Sequence, residues 1–161
     1  MDNKPEVEEM LNRFLQVLFD GNARIDNICY NLKYKNLSEI EKAIHDPMAH
    51  VMGKWADEVS DLMDKLGMRP KRYALPDHLD EMGPEEALGD LVRYFDSLHE
   101  KAIKAIEFAE EEDMETKIFL EEFLIQKITP YRRQAEQWLR AVKAIGAESL
   151  NVHIADYTDY I

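Results

Sequence analysis

Apolar residues recur with a helical period along almost the whole chain, and this pattern constrains the fold more than any other feature of the sequence. A first apolar stripe follows Pro5, a residue that suits the first turn of a helix. The stripe consists of Val7, Leu11, Phe14, Leu15, Leu18, Ile25, Cys29 and Leu32. The 161 residues include only 6 glycines and 6 prolines, too few for the many tight turns of an all-β fold. The sequence therefore predicts an all-α protein.

Polar residues and a proline interrupt this pattern after the first helix. Ser38 and Glu41 have the spacing of a capping box and predict the start of a second helix. Asp46 and Pro47 predict a restart or a kink, with Asp46 as the cap and Pro47 in the first turn. The helix that follows should end at Gly67, because glycine is typical of helix C-termini.

Two more long helices are expected in the second half of the chain. One begins at Pro84, and the other runs from about residue 114 to residue 145 with a kink at Pro130. Residues 68–83 form the longest connection, in which we expect a short helical turn at residues 77–82. Connections that are short, long and short predict a four-helix bundle whose second connection crosses its length.

Two segments lie outside the helical pattern. Residues 110–113 form a short acidic break between the third and fourth helices, and residues 147–161 form a tail that is not obviously helical. Tyr157 and Tyr160 predict that this tail packs against another part of the chain. We therefore divide the chain into a bundle of residues 1–146 and the tail.

The chain is strongly acidic, with a formal net charge of −13 from 33 acidic and 20 basic side chains. Such a charge repels phosphate backbones and anionic membranes, and it favours cations. Lys4 is the single early basic residue and none follows Lys143, so we do not expect DNA binding. The single cysteine, Cys29, excludes an internal disulfide and a thiolate zinc cluster, and it fits a reducing cytoplasm. The acidic N-terminal residues do not resemble a signal peptide, and no apolar run has transmembrane length.

A pair of aspartates on the helix predicted to follow Pro47 provides the first candidate metal ligands. Asp57 and Asp61 are four residues apart and share a helix face, roughly opposite the apolar stripe that contains Trp55. They can face solvent or a neighbouring subunit, and carboxylates are suitable ligands for iron. The alternative is a solvated acidic stripe that also includes Asp64.

Histidine and cysteine offer weaker candidates. His45 lies one helical turn after Glu41, and the two could hold a metal if the chain is helical through Asp46. Glu41 also has the alternative role in the capping box, and Cys29 can be a small buried hydrophobe. His99 lies near the apolar stripe of its helix, where a buried histidine with a hydrogen-bond partner is expected. The sequence contains no glycine-rich phosphate loop, nucleophile elbow or dinucleotide fingerprint.

Four short stretches carry a family resemblance, namely residues 11–15, 56–59, 66–70 and 137–141. They resemble the starvation-protection (Dps) family of ferritins. Leu11-Asn12-Arg13-Phe14-Leu15 is similar to the opening of the family's first helix. Ala56-Asp57-Glu58-Val59, followed by Leu66-Gly67-Met68-Arg69-Pro70, resembles its second-helix passage, and Gln137-Trp138-Leu139-Arg140-Ala141 resembles its last-helix signature. The resemblance covers roughly residues 11 to 142. It implies a ferritin-like four-helix bundle, up-up-down-down, with a long crossing connection that carries a short helix.

The resemblance also implies a two-iron oxidation centre between two subunits, with two histidines from one side and two carboxylates from the other. In this sequence the carboxylate positions fall on Asp57 and Asp61, while the histidine positions fall on Cys29 and Glu41. Both carboxylate positions are therefore acidic and both histidines are replaced. The implied metal ligands are Asp57, Asp61 and Glu41, with iron as the candidate cation and other divalent metals open.

The other branch of the ferritins binds metal inside each bundle, and this sequence matches it less well. Glu100 matches one glutamate of its third helix, but the other ligand positions fall on Leu18, Val51, Lys54 and Gln126. The resemblance therefore indicates a homo-oligomer, a dimer or a cage, that binds, oxidises or stores iron at an altered inter-subunit site in a stress response. The rival hypothesis is a bundle that has lost its metal centre and serves as a non-enzymatic structural or partner-binding oligomer.

Overall fold

The computed structural model describes residues 5–109 and 113–161, and these residues form helices and connections without a β-strand. The long helices are α1 (Pro5–Tyr34), α3 (Val51–Lys65), α4 (Pro84–Ala109) and α6 (Thr129–Ile145). Shorter helices are α2 (Ser38–Ile44), α5 (Met114–Phe123), α7 (Ala147–Val152) and a 3-10 turn at Ile154–Tyr157. Two π-helical turns complete the list, the first at His45–Ala49 and the second at Leu124–Ile128. The predicted all-α class is confirmed.

The two π turns join shorter helices into the long helices that the sequence predicts. The first joins α2 to α3 and contains Pro47, and the second joins α5 to α6 just before Pro130. Proline has no N–H to donate, so the regular hydrogen bonds are interrupted there while the chain stays helical. Asp46 is therefore not a helix cap, because the backbone is already helical at Ile44. The acidic break at residues 110–113 lies largely outside the described residues.

The long connection, residues 66–83, runs along α1 and contains no helix. Side-chain amides of α1 bind its backbone at both ends. Asn12 donates to the Arg69 carbonyl at 3.1 Å, while Asn31 donates to the Asp80 carbonyl at 2.9 Å and accepts from the Met82 N–H at 2.8 Å. These side chains already form hydrogen bonds with the backbone N–H and C=O groups of the connection. Those backbone groups therefore do not need helical hydrogen bonds. The predicted helical turn at residues 77–82 is therefore wrong.

These contacts define the helix directions, which differ from the expected up-up-down-down order. The connection carries the chain from the end of α3, beside the start of α1, to the start of α4, beside the end of α1. Helices α3 and α4 thus both run opposite to α1. Ion pairs of Lys65 with Glu115 (2.9 Å) and of Lys127 with Glu58 (3.4 Å) place α5 and α6 antiparallel to α3. The order is up, down, down, up, because a single connection crosses the bundle, as in ferritin-like folds.

The C-terminal segment is also helical, contrary to expectation. Gly146, with a φ of 83°, ends α6 and redirects the chain into α7. The buried amide of Gln134 donates to the Tyr157 carbonyl at 2.8 Å and accepts from the Tyr160 N–H at 2.9 Å. Trp138 donates to the Thr158 hydroxyl at 3.2 Å. The segment therefore packs on α6, in line with the prediction from its tyrosines.

A residue of this segment, Asn151, caps α2 in place of the predicted capping box. The N-cap position is Leu37, and no side chain there caps the helix. Instead, Asn151 Oδ1 of α7 accepts the Glu39 N–H at 2.9 Å and the Ile40 N–H at 3.0 Å. The free amides of the first turn are thus satisfied from across the sequence, and Ser38 and Glu41 are not required for capping. Over the described residues, every helix is too short or too polar to cross a lipid bilayer.

Candidate metal centre

Asp57 and Asp61 lie together on the outer face of α3. Both side chains are exposed, whereas Trp55 and Val59 on the other side of the helix are buried, as the four-residue spacing predicts. Neither carboxylate has a hydrogen-bond or ion-pair partner within the described part of the chain. Two carboxylates four residues apart repel each other, at a cost of about 0.2–0.5 kcal/mol to the helix. The two carboxylates are therefore unpaired, and their mutual repulsion slightly destabilises the helix.

Glu41 and Cys29, the two positions where the sequence resemblance implies histidines, are neighbours in the structure. The Cys29 thiol lies 3.9 Å from the Glu41 carbonyl oxygen and donates to it. Burial, together with the charges of Glu41, Asp26 and Asp46, raises the pKa of the Cys29 thiol to about 12. The thiol is consequently neutral near pH 7 and is a poor metal ligand, because metals bind the thiolate. This half of the candidate centre offers one half-buried carboxylate, that of Glu41.

A single copy of the chain does not assemble a complete metal centre from these residues. Among residues 5–109 and 113–161, no group of three or more histidine, cysteine, aspartate or glutamate side chains is placed to hold a metal ion. Asp57 and Asp61 belong to α3 and Glu41 to α2. The predicted ligand set of Asp57, Asp61 and Glu41 thus stays a prediction about contacts between copies.

The interior of the bundle is filled by aromatic side chains. The Trp55 ring lies 5.2 Å from that of Tyr131 and 5.4 Å from that of Phe123, between centroids. Phe95 contacts Tyr131 at 5.9 Å. These rings bury a large apolar area where α1, α3, α4 and α6 meet, and the packing needs no ion to hold it.

Within the described part of the chain, the positions where the resemblance places the ligands of the other ferritin branch do not form a buried ligand set. Leu18 is buried, Lys54 and Gln126 are exposed, and Glu100 is exposed in an ion pair with Lys104 at 3.3 Å. Within the described residues, the buried polar or charged side chains are Asn12, Thr116 and Gln134. None of these is a carboxylate or an imidazole, so these residues do not form a ferritin-type centre inside the bundle.

His99 is only half-buried at the flank of this core, and its ring has no hydrogen-bond partner among the described residues, so the expected buried and hydrogen-bonded histidine is not found. Burial, with the nearby charge of Arg132, lowers the pKa of His99. Both causes favour a neutral ring.

A partly buried charge network joins α1 to α4 and to the long connection, and sequence reasoning missed it. Arg24 donates to both carboxylate oxygens of Asp90, at 2.7 and 3.1 Å, and His78 Nε2 lies 2.6 Å from Asp20 Oδ1. Burial alone would raise the pKa of Asp90, but the hydrogen bonds and charge of Arg24 outweigh it and lower that pKa. These carboxylates are paired, so they position the helices rather than offer free ligands.

Comparison with known proteins supports the fold. No protein-family model matches the sequence, and no curated protein sequence matches it either. Two crystal structures of PmFTN variants share the fold with a TM-score of 0.84 at 14% sequence identity. One is a glutamate-to-glutamine variant soaked in iron for 5 min, and the other a glutamate-to-histidine variant soaked for 45 min. The alignments cover 92% of this chain and 98% and 99% of those chains, respectively. The ferritin-like four-helix bundle predicted from the sequence is thus confirmed.

Proposed function

We propose that this protein binds and sequesters iron as a cytoplasmic, ferritin-like homo-oligomer of the Dps type, with its metal site between two copies. The observation that carries the proposal is the free carboxylate pair, Asp57 and Asp61, on the outer face of a ferritin-like bundle. A partner-facing pair is the arrangement that an inter-subunit site requires, since Glu41 of a second copy can then supply a third carboxylate. The iron-soaked PmFTN structures support iron as the cation.

The chemistry of this site follows from its ligands. Carboxylates are hard oxygen donors, and a cation between Asp57 and Asp61 would turn their mutual repulsion into attraction. Ferrous oxidation by oxygen or peroxide would be the family-type reaction. An all-carboxylate set also accepts manganese, magnesium or calcium, so iron must be tested against them.

An exposed groove with both polar and apolar lining residues, at the end of α1 that contains Cys29, supports self-association. Tyr30, Tyr34 and Leu79 are 67%, 83% and 80% exposed. With Asn27 and Met82 they line a groove of about 410 Å³ between α1 and the long connection. Large exposed apolar side chains that cluster in this way are typical of protein contact surfaces. Tyr30 follows Cys29 directly, so a partner bound here would lie close to the Glu41 half of the candidate centre.

The test is native mass spectrometry of the full chain before and after aerobic ferrous loading. We expect a homo-oligomer that takes up iron, and we expect the double variant Asp57→Asn, Asp61→Asn to lose that uptake. The matched control is Glu100→Gln with Glu107→Gln, which removes the same charge from exposed positions of α4. Equal uptake by all three proteins, or a wild-type monomer without metal, would refute the proposal.

A second candidate function is a metal-free bundle that acts as a structural or partner-binding oligomer. The neutral, buried Cys29 favours it, because this residue stands where the resemblance implies a histidine ligand. The aromatic interior also favours it, because these rings pack together without an ion. In the same experiment this candidate predicts a stable oligomer without bound iron. Substitution of Tyr30 and Tyr34 by serine would then dissociate the oligomer while leaving its metal content at zero.

A further inference from the structure

The first π turn brings two histidine side chains into contact on the surface of the bundle. His45 opens the turn and His50 follows it, and their rings meet edge to face with centroids 4.7 Å apart and planes at 89°. In a regular α-helix, residues five apart point about 140° away from each other. The wider π turn forms i to i+5 hydrogen bonds, so side chains five residues apart lie on the same side of the helix. The contact between the two rings therefore depends on the π turn around Pro47.

The surroundings of the two rings are accessible and negatively charged. His50 is exposed and the His45 side chain is 35% exposed, so an ion can reach both. Asp46 Oδ1 lies 3.6 Å from His45 Nδ1, and Glu41 precedes His45 by one helical turn on the same face. Both carboxylates lower the electrostatic cost of bringing a cation to the rings. His50 is exposed and His45 is only half-buried, so burial in the hydrophobic core does not account for their pairing.

We propose that His45 and His50 form a two-imidazole site for a borderline divalent cation such as Cu²⁺, Zn²⁺ or Ni²⁺. Two imidazoles bound to one tetrahedral ion at about 2.0–2.1 Å have ring centroids about 5 Å apart. The observed 4.7 Å is close to that separation. Because the rings meet edge to face, one ring must turn so that a nitrogen of each points at the ion. Water molecules complete the coordination of the ion.

Imidazole ligands determine which metals the site selects. Nitrogen donors of this kind favour copper, nickel and zinc over magnesium and calcium, and Cu²⁺ binds most tightly in the divalent series. The site therefore differs in chemistry and in residues from the proposed carboxylate pair on α3. It does not depend on the proposed function, because the same ring contact exists in a single copy.

The test is a titration of the full chain with Cu²⁺. Binding is measured by calorimetry, and the number of nitrogen ligands is read from the nitrogen hyperfine splitting in electron paramagnetic resonance. We expect one site with two nitrogen ligands in the wild-type protein. Each of His45→Ala and His50→Ala should weaken binding at least about tenfold and leave one nitrogen ligand. The matched control is His153→Ala, because His153 is exposed and also has a carboxylate neighbour, Asp156, at 3.8 Å. This control should bind Cu²⁺ as the wild type does.

A second measurement keeps the proposal testable if a histidine variant disturbs the π turn. Saturating Cu²⁺ should raise the urea midpoint of the wild type, and a chelator should reverse the rise, since a ligand stabilises the folded state that it binds. His45→Asn with His50→Asn should abolish this rise while the variant stays folded. Copper binding that survives in that double variant, or a wild-type spectrum without two nitrogen ligands, would overturn the proposal. The Asp57→Asn, Asp61→Asn protein should keep the copper site, which separates this result from the iron experiment.

Discussion

Gly21 allows α1 and α4 to approach each other, and replacing it by alanine tests the packing at the centre of the bundle. Gly21 is buried in the middle of α1, against the fully buried ring of Tyr94. A Cβ atom at position 21 would lie 2.5 Å from Tyr94 Cζ and closer still to its hydroxyl oxygen. The same atom would lie 3.1 Å from Met52 Cγ. The ring must therefore move, although the Tyr94 hydroxyl donates to the Val17 carbonyl at 2.8 Å.

The expected cost of Gly21→Ala is large. Forcing the ring aside costs about 1–3 kcal/mol as overpacking. Loss of the hydrogen bond from the buried Tyr94 hydroxyl adds about 1–3 kcal/mol. Alanine favours the helix over glycine by about 1 kcal/mol, which offsets part of this. We expect a net loss of about 3 kcal/mol, or about 1.5 M in urea midpoint at an m value of about 2 kcal/mol/M.

The assay is urea unfolding at fixed protein concentration, with Gly53→Ala as the matched control. Gly53 is also helical but exposed, and an added Cβ meets nothing within 4 Å. Gly53→Ala should therefore raise the free energy of unfolding by about 0.5–1 kcal/mol. In a Tyr94→Phe background, Gly21→Ala should cost at least about 1 kcal/mol less, because the hydroxyl is gone. If Gly21→Ala and Gly53→Ala both stabilise the protein, the packing argument is wrong.

Three further predictions concern the capping of α2, the buried ion pair and the cysteine. Asn151→Ala should lower the free energy of unfolding by about 1 kcal/mol in urea, whereas Ser38→Ala should leave it within about 0.5 kcal/mol. The pKa of Asp90 is below its unfolded value of about 3.9, so the stability from its pair with Arg24 is present above about pH 4 and is lost as the pH falls. The difference in urea midpoint between the wild type and Asp90→Asn should accordingly be largest near pH 6 and should shrink as the pH falls through the lowered pKa of Asp90. Cys29, with a pKa of about 12, should not react with an aromatic disulfide reagent at about pH 8 until urea unfolds the chain; rapid reaction of the folded protein would contradict its burial.

Helix boundaries that depend on local signals could be predicted from the sequence. The end of α3 before Gly67 and the start of α4 at Pro84 both follow from the backbone preferences of those residues. The cap of α2 could not be predicted, because Asn151 lies 112 residues from Glu39 and displaces a plausible local capping box. Pairings over such distances leave no periodic pattern in the sequence.

At the candidate centre, too, features that depend on local spacing could be predicted, whereas long-range contacts could not. The exposure of Asp57 and Asp61 follows from their spacing relative to the buried face of α3, and the structure agrees with it. The pair of Arg24 and Asp90 spans 66 residues, so no local signal marks either residue as a partner of the other. The contact of His45 with His50 depends on a π turn that a regular helical period would exclude. Long-range pairing and irregular backbone are thus where sequence reasoning fails here.

Because the interior is packed with aromatic rings, we expect metal binding and the folding of a single copy to be independent in this protein. Because Trp55, Phe95 and Tyr131 pack together between the helices, we expect a single copy to fold without an ion. The two proposed sites lie on the outer faces and differ in donor type: carboxylates at Asp57 and Asp61, imidazoles at His45 and His50. Hard and borderline ions should therefore bind at different places on one chain rather than compete for one. If manganese or magnesium displaced Cu²⁺ from the protein, a single shared site would be indicated and this separation would be wrong.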